Sequence, residues 1–355
     1  MSSTGHGRNG PAVTMRDVAK AAGVSVATVS HVVNDKPGAR IGDDARRRVH
    51  EAVAELGYRP NALAKTLSQG GSRFIGLVAD AIATTPFAGQ IIHGAQDEAW
   101  KHDYVLLVAN TEGDEVVEND VIAMMLEHQV HGILYSTWYH REIVVPEILH
   151  QTATVLVDCF SADTAYPAVV PDERQGGRTA TEQLLAAGHQ RIAFINTTTP
   201  SPARTGRLAG YRDALQHAGI ALDETLVFSA EPQQEGGYAT AGSIVESGAT
   251  AVFCHNDRVA MGLYDGLRER GLRVPADIAV MGFDNQDVIA AHLRPPLSTV
   301  ALPHYELGAA GVRVLLGLES SPSDGPLLIA CPPVLRASVD QPADLAPRDN
   351  REHAS

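Results

Sequence analysis

Asp80, Asp158, Asp284 and their neighbours Asn256, Asp257 and Asn285 share one placement. They follow short apolar runs, in "FIGLVAD", "TVLVD", "AVFCHND" and "IAVMGFDN". Arg207, at the head of "RLAGYRDALQHAG", adds a guanidinium to this set. Carboxylates accept hydrogen bonds from hydroxyls and arginine donates a planar fork, so the set suits a neutral, hydroxyl-rich ligand. Phe87 and the "STWYH" cluster, with Trp138 and Tyr139, offer flat faces for a sugar ring, and Gln90 offers a further amide. Taken singly, an aspartate after a strand more often caps the next helix. The set therefore means something only through its spacing.

Other chemistries find no support. The chain has no GxGxxG after a strand, no GxxxxGK[ST], no HExxH and no GxSxG. "HQVH" at 128–131 lacks a carboxylate or cysteine partner and reads as a surface pair. Cys159, Cys254 and Cys331 are odd in number and far apart, as expected of three buried thiols in a reducing cytosol. No apolar run approaches a membrane span, and the first 13 residues are too polar for an export signal. No catalytic residue, metal or cofactor is expected.

The elements that must position the set read as an α/β body. Apolar runs from residue 74 onward look like buried parallel strands, separated by amphipathic stretches such as Phe87, Ile91, Ala95 and Ala99. Gly188, Gly219, Gly248 and Gly271 follow the helical stretches, where a left-handed residue ends a helix. Parallel sheets covered by helices, in two lobes, place ligands beyond the carboxyl ends of their strands.

The head is different. The net charge of −14 divides into +5 for residues 1–73 and −19 for the rest. A basic head on an acidic body is expected when only the head meets a polyanion. Thr14 caps a first helix with Asp17 in its first turn, Gly23 supplies a turn, and Ser25 caps a second helix. Val24, Val29 and Val33 would pack inward, leaving Val26, Ala27, Ser30 and His31 outward. This is a helix-turn-helix, whose second helix enters the major groove. Val26, Ala27 and His31 would meet bases, whereas Ser25, Thr28, Ser30 and Asn34 would place phosphates and the helix. On the two helices alone, a plain helical hairpin is the commoner reading. A third helix over about 43–56 puts Val49, Val53 and Leu56 on one face and Arg46, Arg47 and Arg48 in its early turns.

"TMRDVAKAAGVSVATVSHVVN", "AVAELGYRPNALAKTL", "RFIGLVAD", "DERQGGRTATEQLLAAGHQRIAFI", "HNDRVAMG" and "VPADIAVMGFDN" together resemble the lac repressor-like (LacI/GalR) family of bacterial transcription regulators. The resemblance covers roughly residues 14–340. It implies an all-α DNA-binding head and an effector domain of the two-lobed, periplasmic-binding-protein-like (type I) α/β class. It also implies a hinge helix with Asn61, Ala62, Ala64, Lys65 and Leu67 on DNA, Leu67 wedging into the minor groove. Arg207, Asn256 and Asp284 become the positions that hold a ligand. The expected division is a disordered tail 1–13, head 14–59, hinge and linker 60–73, body 74–340 and polar tail 341–355. Within the body, one lobe takes 74–170 and 303–326, the other 171–302 and 327–340. The sequence departs from the family pattern in several places: His31 where the family usually has arginine, Gly42 near where the third helix usually opens with Ser or Thr, a slightly longer loop "DKPGARIGD" before it, Pro232 where the family has a stacking aromatic, and Leu302 where some members have a polar residue.

The implied function is a cytoplasmic homodimer that binds a pseudo-palindromic double-stranded operator and is released by a small effector, most plainly a sugar. Alternatives are a corepressor-dependent regulator responding to a nucleobase or nucleoside, or a sugar-binding protein without a DNA function. The tail has no leucine heptads, which favours a dimer over a tetramer.

Overall fold

Thr14 opens the first element of a computed structural model that describes residues 13–33, 41–58, 72–81, 89–163 and 165–340. The chain divides into two compact units, 1–73 and 74–355.

In the first unit, α1 (Met15–Ala22), α2 (Val26–Val33) and α3 (Asp43–Leu56) enclose a small core. Thr14 and Asp17 form a reciprocal capping box, with the Thr14 N–H donating to Asp17 Oδ2 at 2.8 Å. Gly23 closes α1 at φ +65°, where an L side chain would be strained. The Ser25 hydroxyl accepts the Thr28 N–H at 3.0 Å and so caps α2. Val18, Ala19, Ala22, Val29, Val32, Val49, Ala52 and Tyr58 are buried. Val24 and Val33, half-buried, pack against this core as expected, and Val32 joins it fully buried. One expectation needs correction. Ala52, not Leu56, completes the inner face of α3: the small side chain lets the helices approach, and Leu56 is exposed at the helix end.

The second unit holds two lobes with one topology. The N-lobe contains β1 (Phe74–Ala79), α4 (Gly89–Lys101), β2 (Val105–Asn110), α5 (Glu115–Glu127), β3 (Ile133–Glu142), β4 (Thr154–Phe160) and β5 (Ala168–Pro171). The chain then crosses into the C-lobe. There it forms α6 (Glu173–Ala186), β6 (Ile192–Thr197), α7 (Pro202–His217), β7 (Val227–Ala230) and α8 (Gln234–Glu246). β8 (Ala251–Cys254), α9 (Asp257–Glu269), β9 (Ala279–Asp284) and β10 (Ser298–Ala301) complete that run. α10 (His304–Leu315) returns to the N-lobe and packs on α4, followed by β11 (Leu327–Ile329) and β12 (Pro333–Val334). The sheet orders are β2-β1-β3-β4-β5-β11 and β7-β6-β8-β9-β10-β12. All pairings are parallel except β10 with β12.

Helices on both faces of each sheet explain the nearly continuous apolar strands. Every residue of β6 is buried, and Ile91, Ala95 and Ala99 of α4 are fully enclosed. α4 and α10 cross so closely that a Cβ on Gly308 would strike the backbone of Ile91. Two boundaries differ from expectation. Leu327–Ile329 pairs with β5 in the N-lobe sheet, so the last crossing comes after Ile329 and not at 326. That short strand gives the edge of β5 a ladder partner. α7 begins at Pro202 behind a Ser201 cap, which sets Arg207 inside the helix and not at its head.

Candidate functional site

The carboxyl ends of both sheets meet a cleft of about 260 Å³. Trp138, Tyr139 and His140 from the end of β3, and Asp158 from β4, line it from the N-lobe. Glu173 at the start of α6, Arg207 on α7, His255 and Asn256 behind β8, and Asp284 on β9 line it from the C-lobe. Asp158 and Asp284 hold equivalent positions, since β4 and β9 occupy the same place in the two sheet orders. Both adopt left-handed backbone angles, φ +58° and +102°. Aspartate tolerates a positive φ better than bulkier residues do.

Arg207 is the centre of the site. Its Nε donates to Glu173 Oε2 at 2.8 Å, and its Nη1 donates to the His255 carbonyl and lies 3.5 Å from Asp284 Oδ1. Its guanidinium lies over the Phe283 ring at 3.7 Å. Burial works against the Glu173 carboxylate, but Arg207 and then His140 outweigh it and hold its pKa down at about 2. Two of the three fork nitrogens are thus committed to protein groups, and Nη2 makes no hydrogen bond among the described residues.

Asp158 presents the opposite case. It is 3 % exposed, and its carboxyl makes no hydrogen bond among the described residues. Burial first, then the neighbouring Glu173 and Asp80, push its pKa well up, with Arg207 opposing. A buried carboxyl without donors is costly unless a partner supplies them. Burial, then the Arg207 charge, pushes His255 well below the ordinary histidine range. Burial likewise takes His304 down to about 4. Nδ1 of His140 and Nδ1 of His255 are buried with no hydrogen-bond partner among the described residues. His140 Nδ1 lies 3.6 Å from Glu173 Oε1, so the cleft offers the Asp158 carboxyl and the His255 Nδ1 to a ligand, around an arginine already fixed in place.

Asp158, Arg207, Asn256, Asp284 and Trp138 of the expected ligand set come together here, as do Pro232 and Leu302. Asn256 also caps α9, its Oδ1 accepting the Val259 N–H at 2.9 Å, and its Nδ2 donates to the Pro232 carbonyl. Gln90 lies elsewhere, in a neighbouring depression that shares Asp284, Leu302 and His304 with the cleft. Phe87 lies outside the described residues. Asp257 turns inward, where its carboxyl takes the Thr299 hydroxyl and the Gln286 N–H, both at 2.7 Å. Sequence reasoning missed Glu173, His140, His255 and His304. His140 and His255 each adjoin a residue that was noted, but nothing local says which way their side chains turn.

In the first unit Val26, Ala27 and Ser25 are exposed on the opening turn of α2, and Thr28, Ser30 and His31 are half-buried. The Ser25 and Thr28 hydroxyls lie 2.9 Å apart. Thr14 stands at the start of α1. Asn34, Asn61, Ala62, Ala64, Lys65 and Leu67 lie outside the described residues. Arg47 and Arg48 of α3 pair with Asp44 at 2.6 and 3.7 Å.

A helix-turn-helix unit joined to a two-lobed body with a cleft at its strand ends defines a DNA-binding transcriptional regulator with a sensor fold. The comparisons with known proteins agree. Residues 14–61 match the model of bacterial regulatory proteins of the lacI family, and residues 181–339 match a periplasmic binding protein-like domain. The ribose operon repressor of Haemophilus influenzae is 34% identical over 331 residues, covering 92% of this chain and 98% of that protein. The lac repressor dimer bound to operator and the anti-inducer ONPF superposes with a TM-score of 0.73 at 26% identity, covering 93% of this chain and 99% of that one. A LacI family regulator of Enterococcus faecium with bound ribose gives a TM-score of 0.58 at 27% identity, over 75% of this chain and 98% of its own. The chain belongs to the LacI family of bacterial transcription regulators.

Proposed function

We propose that this regulator is a cytoplasmic, dimeric repressor that releases its operator when an uncharged monosaccharide fills the interlobe cleft, and that it performs no catalysis. The observation that carries the reading is the cleft chemistry. The Asp158 carboxyl and the His255 Nδ1 suit ligand hydroxyls, and Arg207 is already neutralised by Glu173. A volume of about 260 Å³ suits one sugar ring better than two. The ribose bound in the Enterococcus faecium relative supports the same class. For DNA, Val26, Ala27 and His31 are the base-reading residues, with Ser25, Thr28, Ser30 and Asn34 positioning the helix. Leu67 and the residues around it act at the operator centre. Trp100, Val105 and Val116, all exposed on the N-lobe, supply apolar surface for a partner copy.

The test begins with selection of the purified protein on random duplex DNA. A palindromic consensus is expected, and it provides a labelled operator for anisotropy titrations with monosaccharides, disaccharides, sugar phosphates and nucleobases. A monosaccharide should weaken operator binding by tenfold to a thousandfold, a coupling of about 1.4–4 kcal/mol. Release by a sugar phosphate, or tighter binding with a nucleobase, would overturn the effector assignment. A monomer on DNA would overturn the symmetric-operator reading.

A further inference from the structure

The pairing of β3 with β4 is regular from Ile133 to Ser136 and resumes only at Arg141 and Glu142. Ser136 faces Val157 and Arg141 faces Cys159, so five steps on β3 match two on β4. The surplus residues bulge at the cleft, and bulges serve to re-aim side chains. Here they carry Trp138, Tyr139 and His140 into the lining.

One carboxylate spans this bulge. Asp80, at the end of β1, accepts the Trp138 N–H on Oδ1 at 2.9 Å and the Arg141 Nη2 on Oδ2, also at 2.9 Å. Arg141 then lies over the Tyr139 ring at 5.0 Å, and that ring meets Trp138 edge to face at 4.7 Å. The Thr137 hydroxyl, 2.8 Å from the Tyr139 carbonyl, ties the bulge to itself. Trp138 remains 38 % exposed, so little packing holds it beyond this framework. On the C-lobe side, Pro232 offers no π face.

We infer that the Asp80–Arg141 pair is a positioning latch. It holds the bulge so that Trp138, and not a C-lobe aromatic, forms the stacking wall for the ligand. Arg141 and Asp80 act through Trp138 and need not touch the ligand. The ligand part of this inference rests on the monosaccharide reading, whereas the latch itself does not.

Trp100→Phe leaves Trp138 as the only tryptophan of the chain. On that background, Asp80→Ala and Arg141→Ala in the full-length protein should raise acrylamide quenching of Trp138 and lower its fluorescence anisotropy, with no ligand present. Asp80→Asn, which keeps an acceptor for the Trp138 N–H but loses the ion pair, gives the same reading if either alanine variant fails to fold. Unchanged quenching and anisotropy would overturn the latch. With D-ribose and the other monosaccharides of the panel as probes, Trp138→Ala and Arg141→Ala should each weaken binding by about tenfold. The double variant should be no weaker than Trp138→Ala alone. Additive losses would show that Arg141 acts on the ligand directly and would refute the positioning role. If no monosaccharide binds the unmodified protein, the effector reading fails while the quenching result still decides the latch.

Discussion

Replacing Arg207 by alanine should damage the protein in two separable ways. Its guanidinium and the Glu173 carboxylate are 4 % and 5 % exposed and lie 2.8 Å apart, so the substitution strands a buried charge. Breaking a buried pair from one side costs about 3–5 kcal/mol. The carboxylate gives an independent figure. Glu173 is held at about 2 against an ordinary 4.5, a linkage on the order of 3 kcal/mol. Its folded value lies below its unfolded one. That contribution is therefore complete above about pH 4.5 and fades as the pH falls towards 2. At neutral pH the second unit of Arg207→Ala should melt roughly 5–20 °C lower. Arg207→Met with Glu173→Leu removes both charges and should recover most of the melting temperature, because the loss comes from the stranded charge more than from a missing contact. Effector response should be absent in both variants. The assay is thermal unfolding by calorimetry, paired with operator anisotropy in the presence of sugar. A single variant as stable as the parent, or a double variant no better than the single, would refute the electrostatic argument. Normal induction in the double variant would remove Arg207 from the ligand site.

The remaining expectations are smaller. His304 is held at about 4 against 6.5 by burial, so the folded state resists its protonation and stability should fall as the pH drops from 6.5 towards 4. His304→Gln should flatten that part of a denaturation series, and an unchanged slope would contradict the burial argument. Gly308→Ala places a methyl against the Ile91 backbone where α4 and α10 cross, and should cost about 1–3 kcal/mol or more by urea unfolding. A neutral result would show that the crossing has room to spare. Thr14→Ala removes one half of the α1 capping box and should lower the stability of the DNA-binding unit by about 1 kcal/mol; amide exchange in α1 that is no faster would refute it. His31→Arg should shift operator selection towards guanine at one symmetric position, with about 1–3 kcal/mol of discrimination. An unaltered consensus would take residue 31 out of base reading.

Local rules are legible in the chain itself. The caps at Thr14 and Ser25, the left-handed turn at Gly23 and the α4 stripe of Ile91, Ala95 and Ala99 depend on residues within a turn or two of one another. Strands covered on both faces announce themselves as apolar runs, and parallel topology then dictates that polar residues behind them face a cleft. That reasoning reaches Asp158, Asn256 and Asp284 without any contact being known. The partners of those residues are another matter. Arg207 is tied to Glu173 and His255, 34 and 48 positions away, and Asp80 to Arg141, 61 away. Those pairs exist only because neighbouring strands and helices within one lobe bring distant segments together, and because β3 bulges at its end. Nothing in a window of sequence records where such a meeting falls, so the ten-residue extent of β3 and the three-residue β11 were decided by the folded sheet. The sequence determined which elements form and which of their ends carry polar groups. Tertiary structure alone decided which of those groups are neutralised by one another and which are left for a ligand.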